Sequence, residues 1–334
     1  MRLRRVTAIL TIALLGVMVG PAATAGAATK DDAGTSQAVE YRTVDLGTIA
    51  GRSSAARAVN DQGEIVGESD SADGSSLAVA WGQGVPRVLG TLPGGRQSEA
   101  IDVNASGVVV GFSDTASGWR HAVIFKDGAV IDLGTLGGSY SFATGINDVG
   151  QVVGGSQLAT GGVHAFLWEQ GQLADIGEFA PGDINNKGQV ACQLSIAPRQ
   201  RHACRWQAGT LTDLGGFDSG AYGVNQQGDV LGTARTACSA EHGHLWRDGT
   251  PIDLGSFGGQ CAFSVARGLN DLGEVVGNSQ TGSSPYSLPF VWRDGELVDL
   301  STRGLTPLDR LVAINNAGVI VGIHGIHAAV FLPA

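Results

Sequence analysis

The sequence predicts an all-β fold, a seven-bladed β-propeller of four-stranded antiparallel blades, and three observations carry that prediction. One Asn recurs seven times, at Asn60, Asn104, Asn147, Asn185, Asn225, Asn270 and Asn315. An aromatic residue follows each, at Trp81, Phe125, Trp168, Trp206, Trp246, Trp292 and Phe331, which is 21 residues on in the first five copies, then 22 and 16. Seven residues past the first six aromatics stand Val88, Asp132, Asp175, Asp213, Asp253 and Asp299, most of them opening an Asp-Leu-Gly-like phrase. A period of about 40 to 45 residues with room for four strands is what a propeller blade looks like in sequence.

Within the third unit the spacing predicts strands over 143–147, 151–154, 165–168 and 172–176. The first two are joined through Asn147-Asp148-Val149-Gly150, where Gly supplies the positive φ of a bulged hairpin turn. The last two are joined by a turn that reads Asp127-Gly128, Asp248-Gly249 and Asp294-Gly295 in other units, which suits a two-residue type I′ loop. The first strand of each unit reads as the innermost. Two residues before the Asn stand Ala58, Asp102, Gly145, Asp183, Gly223, Gly268 and Ala313, and the residues four before it are also mostly small. Alternation puts both sets on one face, toward the axis. The residue just before the Asn is Val, Ile or Leu in every copy and is expected on the opposite, buried face.

The ends predict a closed ring. The seventh unit stops at Phe331-Leu332-Pro333-Ala334 without a fourth strand, and a spare strand, Tyr41 to Gly47, precedes the first unit. Pairing the N-terminal strand into the last blade completes seven blades and removes the free sheet edges. A β-solenoid is the alternative, but it would want polar caps rather than complementary halves.

Residues 1–28 read as a signal peptide: Arg2, Arg4 and Arg5, an apolar run from Val6 to Gly20, and small-residue cleavage sites at Ala23-Thr24-Ala25 and Ala25-Gly26-Ala27. The run is short for a membrane span. Residues 29–40 are polar and read as a flexible leader, and 41–334 as a single propeller domain. The expected product is secreted, extracellular and monomeric, with no membrane span after cleavage. Without Arg2, Arg4 and Arg5 the chain holds 18 basic against 31 acidic residues, the wrong sign for a nucleic-acid partner.

The phrases [GA]-[IV]-N-x-x-G-x-V-V-G, H-A-F-L-W and D-L-G-T-L-G-G resemble the HAF-repeat family of secreted bacterial proteins. Unit 3 carries the resemblance best, in His164-Ala165-Phe166-Leu167-Trp168, whereas Leu77 and Leu288 replace the His in units 1 and 6. The resemblance spans about 41 to 332. It implies an extracellular, propeller-like protein and brings no biochemical activity with it.

Strand order places the loops between second and third strands, with the links between blades, on one face and the tight turns on the other. Length varies on the first. From the Asp-Leu-Gly position to the next Asn the interval runs 15, 16, 15, 10, 12, 17 and 16, so a notch is expected at blades 4 and 5. Trp119, Tyr140, Tyr222 and Tyr286 fall on or beside this variable face as ligand-binding candidates for an extracellular glycan or a protein partner. Arg57 and Arg267 are placed to meet an anion at the channel mouth, and Asp102 and Asp183 to face the channel. Each of these aromatics is also explained by capping its own blade. The repeated histidines, His121, His164, His202, His242 and His327, are spread around the ring and read as loop-bracing hydrogen bonders rather than one metal site. His324 and His327 are close enough in sequence to form a weak metal site, but no clear carboxylate pattern joins them. Asp70 to Gly74 reads as a solvated acidic turn with weak Ca²⁺ potential.

Four Cys suit an oxidising compartment. Cys192 replaces a Gly found at the same place in the other six units, and Cys204 stands where Phe166 and Phe290 stand, which predicts a Cys192–Cys204 disulfide and leaves Cys238–Cys261. Four Cys allow three pairings, so this is a choice among them. No Gly-x-Ser-x-Gly, His-Glu-x-x-His or phosphate-binding loop occurs, and no cofactor or metal is called for. The sequence therefore reads as a secreted non-catalytic binding propeller. The alternatives are a hydrolase or lyase using channel-mouth carboxylates and a purely structural repeat protein.

Overall fold

The computed structural model describes residues 39–334 apart from 83–84 and 283–285. The signal peptide and all but the last two residues of the leader lie outside the described residues. Among these the strands form seven four-stranded antiparallel sheets, one per repeat, each meandering from an inner to an outer strand. In blade 3 they are Gly137–Ile146, Val152–Leu158, Val163–Glu169 and Gln172–Gly177. Blade 7 takes Asp309–Ile314, Ile320–His324 and His327–Pro333 from the C-terminal end of the chain, and Tyr41–Asp45 as its outer strand. The pairing runs from Tyr41 opposite Pro333 to Asp45 opposite Ala329, so the expected closure is formed.

Among the described residues no single core gathers the apolar side chains. Seven apolar clusters sit instead between neighbouring blades, each drawing on two of them. The cluster between blades 7 and 1 joins Val321, Ala328 and Val330 to Ala56, Ile65, Val79 and Trp81, with Val44 and Leu46 of the closing segment packed against it. Ring closure thus buries apolar surface as well as pairing backbone.

The inner strands depart from simple alternation. Every one carries a register shift just before its Asn, for example between Ala56 and Ala58 and between Ala266 and Gly268. Such a β-bulge inserts one residue and turns the chain by one face. The residues four before the Asn, expected at the axis, are therefore packed between blades: Ala56, Ala100 and Ala266 are fully buried. The residues three before it, among them Arg57, Thr144, Tyr222 and Arg267, line the channel instead. The residues just before the Asn, expected on the opposite face, also border it, as at Val59, Val224 and Leu269.

The bulge explains the Gly seven residues after each Asn. A Cβ on Gly67, Gly111 or Gly322 would lie 1.9 to 2.0 Å from a carbonyl oxygen of the bulged inner strand. In blade 4 the shift is spread over Pro181 to Ile184, and there the position carries Cys192.

Candidate functional site

The recurring Asn closes one end of the channel. Each Asn uses its carboxamide oxygen to accept amides two to four residues on, fixing its own tight turn; Asn185 accepts from Lys187 and Gln189, both at 3.0 Å. Each then donates its Nδ2 to the backbone oxygen of the next Asn. The chain of bonds runs Asn60 to Asn104, Asn147, Asn185, Asn225, Asn270, Asn315 and back to Asn60, at 2.8 to 3.3 Å. All seven are buried. A second ring lies outside it, in which the next residue's amide meets the following blade's Asp, Asn or Gln side chain. It links Ala105 to Asp148, Asn186, Gln226, Asp271, Asn316 and Asp61. It is broken only between Asp61 and Ala105, which has no acceptor to offer. Inside these rings the channel space is small, about 210 Å³.

Toward the variable face the channel widens to a cavity of about 590 Å³. Its wall holds two of the sequence-predicted cations, and they differ. Arg57 is held by Glu68 at 2.7 Å and Glu99 at 2.8 Å. Burial raises the Glu99 carboxyl, and Arg57 offsets only part of that. Arg267 is exposed on the wall and, among the described residues, makes no hydrogen bond or ion pair. Glu241, Thr144 and Thr233 add polar groups, and Ile101, Val265 and Val312 apolar ones. Tyr222 is half-buried there, its hydroxyl donating to the Ala266 carbonyl of blade 6, and burial pushes its phenol far up.

Asp102 and Asp183 border both the narrow and the wide part of the channel. Asp102 accepts from the Val103 amide at 2.8 Å and from the Ile146 amide of blade 3 at 2.9 Å. Asp183 accepts from Ile184 at 2.7 Å and from the Val224 amide of blade 5. Both carboxylates thus tie neighbouring inner strands together. Asp183 lies against Gly145, where a Cβ would stand 2.7 Å from its Oδ1. Burial pushes the Asp102 carboxyl up despite its amide bonds. Burial, and then the charge of Asp102, push Asp183 well above the ordinary carboxylate range.

On the rim of the variable face Trp119, 53% exposed, stacks on Tyr140 of blade 3, with ring centroids 6.4 Å apart and planes at 21°. Tyr286 stands in the second-to-third-strand loop of blade 6, 62% exposed. The short links into blades 4 and 5 are present, Glu178–Phe179 and Gly216–Ser219, and Phe217 is exposed there.

The repeated His pairs through Nδ1 with the Asp of the outer strand: His121 with Asp132, His164 with Asp175, His202 with Asp213, His242 with Asp253 and His327 with Asp45, at 2.7 to 2.9 Å. The same Asp caps the turn two residues on, as Asp175 does for Gly177 at 2.9 Å. The sequence held this signal, since unit 1 lacks both members, with Leu77 and Val88. In blade 6, where Leu288 replaces the His, Asp299 caps the short 3-10 helix Leu300–Thr302 instead. His242 alone is sealed, its Nε2 meeting the Ala262 carbonyl at 2.9 Å. Cys238–Cys261 fastens the loops beside it, and Cys192–Cys204 joins directly opposed strand residues of blade 4, both as expected. In the acidic loop of blade 1, Asp73 is held at about 2 by the Ser71 hydroxyl and the Ser75 amide. Among the described residues no three His, Cys, Asp or Glu converge as a metal site.

Sequence reasoning missed the two polar rings, because their acceptors lie 38 to 45 residues away or across the chain ends. The regular recurrence of Asn was the available signal. The bulge was missed because it leaves the repeat spacing unchanged.

Among the described residues no helix is long and apolar enough to cross a membrane. No protein-family model matches the chain, and no curated protein does. Among solved structures it is similar to the β-propeller domain of the Trilobed protease from Pyrococcus furiosus, described as having an open velcro topology, at 8% identity and TM-score 0.57 over 81% of this chain and 91% of that one. It is similar to the RRP9 WD40 repeats at 12% identity and TM-score 0.54, over 88% and 97%. It matches TolB from Acinetobacter baumannii at 13% identity and TM-score 0.47, over 69% of this chain and 64% of TolB, less than two thirds of that protein's length. At these identities the likeness is one of fold: the chain is a seven-bladed β-propeller.

Proposed function

We propose that this is a secreted, non-catalytic propeller that binds an extracellular ligand on its variable face, in the cavity where the channel opens. The observation that carries the reading is Arg267, a cation that makes no hydrogen bond or ion pair among the described residues, on the wall of a cavity of about 590 Å³ whose other cation, Arg57, is neutralised. A pocket of this size with a few polar groups among apolar ones suits a small ligand or the end of a chain, and Arg267 favours one with an anionic group, such as an acidic sugar. Trp119 stacked on Tyr140 offers a second contact for a glycan on the rim. Two disulfides suit an oxidising compartment, and the resemblance to secreted HAF-repeat proteins agrees with it.

The hydrolase or lyase reading rests on Asp183 and Asp102, whose raised carboxyls suit proton transfer. Their oxygens are engaged by backbone amides of adjacent blades, which favours a structural role. The test is a binding screen of acidic and neutral glycans and cell-wall fractions, with product analysis on every hit. Saturable binding without turnover, weakened about tenfold or more by Arg267→Ala, is expected. Turnover lost in Asp183→Asn would replace this reading with the enzymatic one, and binding indifferent to Arg267 and Trp119 would move the ligand off this face.

A further inference from the structure

Blade 7 departs from the repeat at one row of residues running across its sheet. In blades 1, 2, 3 and 6 the first two strands oppose a pair of buried serines: Ser54 and Ser69, Ser98 and Ser113, Ser141 and Ser156, Ser264 and Ser279. In blade 7 the same two places hold Asp309 and His324. Both members of the pair have changed together. The turn after His324 is only Gly325-Ile326, so His324 lies directly opposite His327, the repeated His of this blade. Asp309, His324 and His327 thus stand in register on three adjacent strands, and Asp45 of the fourth, opposite Ala329, reaches back to His327 to extend the row.

The hydrogen bonds orient the two rings. His324 turns its Nδ1 to Asp309 at 2.6 Å, and His327 turns its Nδ1 to Asp45 at 2.9 Å, on the other side. The two nitrogens of an imidazole flank Cε1 and point in widely different directions, so a carboxylate on Nδ1 leaves Nε2 available. Among the described residues neither Nε2 has a hydrogen-bond partner. Directly opposed residues on antiparallel strands carry their Cβ atoms about 4.5 to 5.5 Å apart on the same face. We infer that His324 and His327 form a two-imidazole site for a late first-row divalent cation on the variable face.

Three further features support it. A carboxylate on the Nδ1–H of each ligand is the outer-shell arrangement that fixes the tautomer, leaves Nε2 as the donor and raises its basicity. Asp309 is fully buried and anchored by the Thr306 amide at 2.6 Å and hydroxyl at 3.1 Å, so it holds His324 firmly. Asp45 is held in turn by the Gly47 amide, from which it accepts at 2.7 Å, so it is fixed on the other side of His327. The hairpin tip is also fixed, since the Ile326 carbonyl accepts from the Ser54 amide of blade 1 at 3.1 Å. Finally, the imidazoles are reachable, with side chains 41% and 36% exposed.

Two imidazoles leave the remaining coordination positions to water or to a bound ligand's oxygens. In the other blades where the repeated His is kept, the residue opposite it is Ser113, Ser156, Leu194 or Ala234, so there it faces no second imidazole.

Tag-free protein titrated with CuCl₂ and, separately, ZnCl₂ tests this by calorimetry, with electron paramagnetic resonance on the copper form. One equivalent of Cu²⁺ is expected to bind more tightly than Zn²⁺, with two equatorial nitrogens in the copper spectrum. His324→Ser, which installs the residue four other blades carry, and His327→Ala are each expected to weaken binding about tenfold or more. His164→Ala is expected to leave it unchanged. Absence of stoichiometric binding, binding that survives His324→Ser, or an equal loss in His164→Ala would each overturn the assignment.

Discussion

On the tight-turn face all seven Asn side chains reach the next blade's backbone in the same way, whereas on the variable face hardly two blades keep the same row. Blades 2 and 3 carry the full Ser, Ser, His, Asp set; blade 1 loses His and Asp, blade 6 loses His, and blade 7 exchanges both serines. The difference follows from what each face must satisfy. An Asn in the ring answers to two neighbours at once, so a change in one blade strands donors and acceptors in the next. A His–Asp clamp is satisfied within its own blade and half open to water, so a blade can change it alone. Independent departures accumulate where they cost least, and that face holds the cavity, the stacked aromatics and the paired imidazoles.

The largest expected effect comes from breaking the uniform face. Asn185 is fully buried, donates to the Asn225 carbonyl at 2.8 Å and accepts two amides. Asn185→Ala leaves those groups unpaired and is expected to cost about 3 kcal/mol in urea denaturation. His164→Ala, which removes a half-exposed clamp on the other face, is expected to cost less than about 1 kcal/mol. Equal costs for the two would undo the contrast between the faces.

The next effect separates the channel from the rim by pH. Asp183 is raised chiefly by burial, so between the ordinary carboxyl range and its raised value the folded protein holds a proton the unfolded chain has released. Stability from this group falls as pH rises through that interval. Asp213 on the rim is the opposite case. Burial works to raise it, but the His202 and Gly215 hydrogen bonds prevail and lower it, so its contribution is present above the ordinary range and is lost as pH falls through the lowered value. Denaturation midpoints from about pH 4 to 8 are expected to decline less steeply in Asp183→Asn than in the wild type. An unchanged slope would remove Asp183 as the source.

How far the sequence led can be judged at particular residues. The Asn-to-aromatic spacing, the spare strand at Tyr41 and the joint change at Cys192 and Cys204 are local or strictly periodic signals, and they led to the blades, the closure and the disulfide. Arg57 and Arg267 were placed near the channel mouth, but their reason for facing it, the bulge between the residues four and two before the Asn, adds a fold in the strand without altering any spacing. The partner of the Asn side chain is a backbone oxygen, which no residue type announces. The carboxylates beside His324 and His327 escape a local reading: Asp309 stands where four other blades hold Ser, and Asp45, 282 residues from His327, is brought beside it by ring closure.

The smallest effect sharpens the comparison by repairing the regular face. The outer polar ring lacks one bond, because Ala105, which follows Asp61 in the series, carries no side-chain acceptor. Ala105→Asn supplies one at an exposed place where the equivalent residues of blades 4 and 7 are already Asn186 and Asn316. An uncharged side chain avoids adding to the carboxylates of Asp61, Asp148 and Asp271 around the same rim. The gain is expected to be about 0.5 kcal/mol, since the new bond replaces one to water and its side chain loses some freedom. If the variant is no more stable than the wild type while Asn185→Ala is strongly destabilised, the outer ring is only decoration on the turns, and the buried Asn ring alone carries the uniform face.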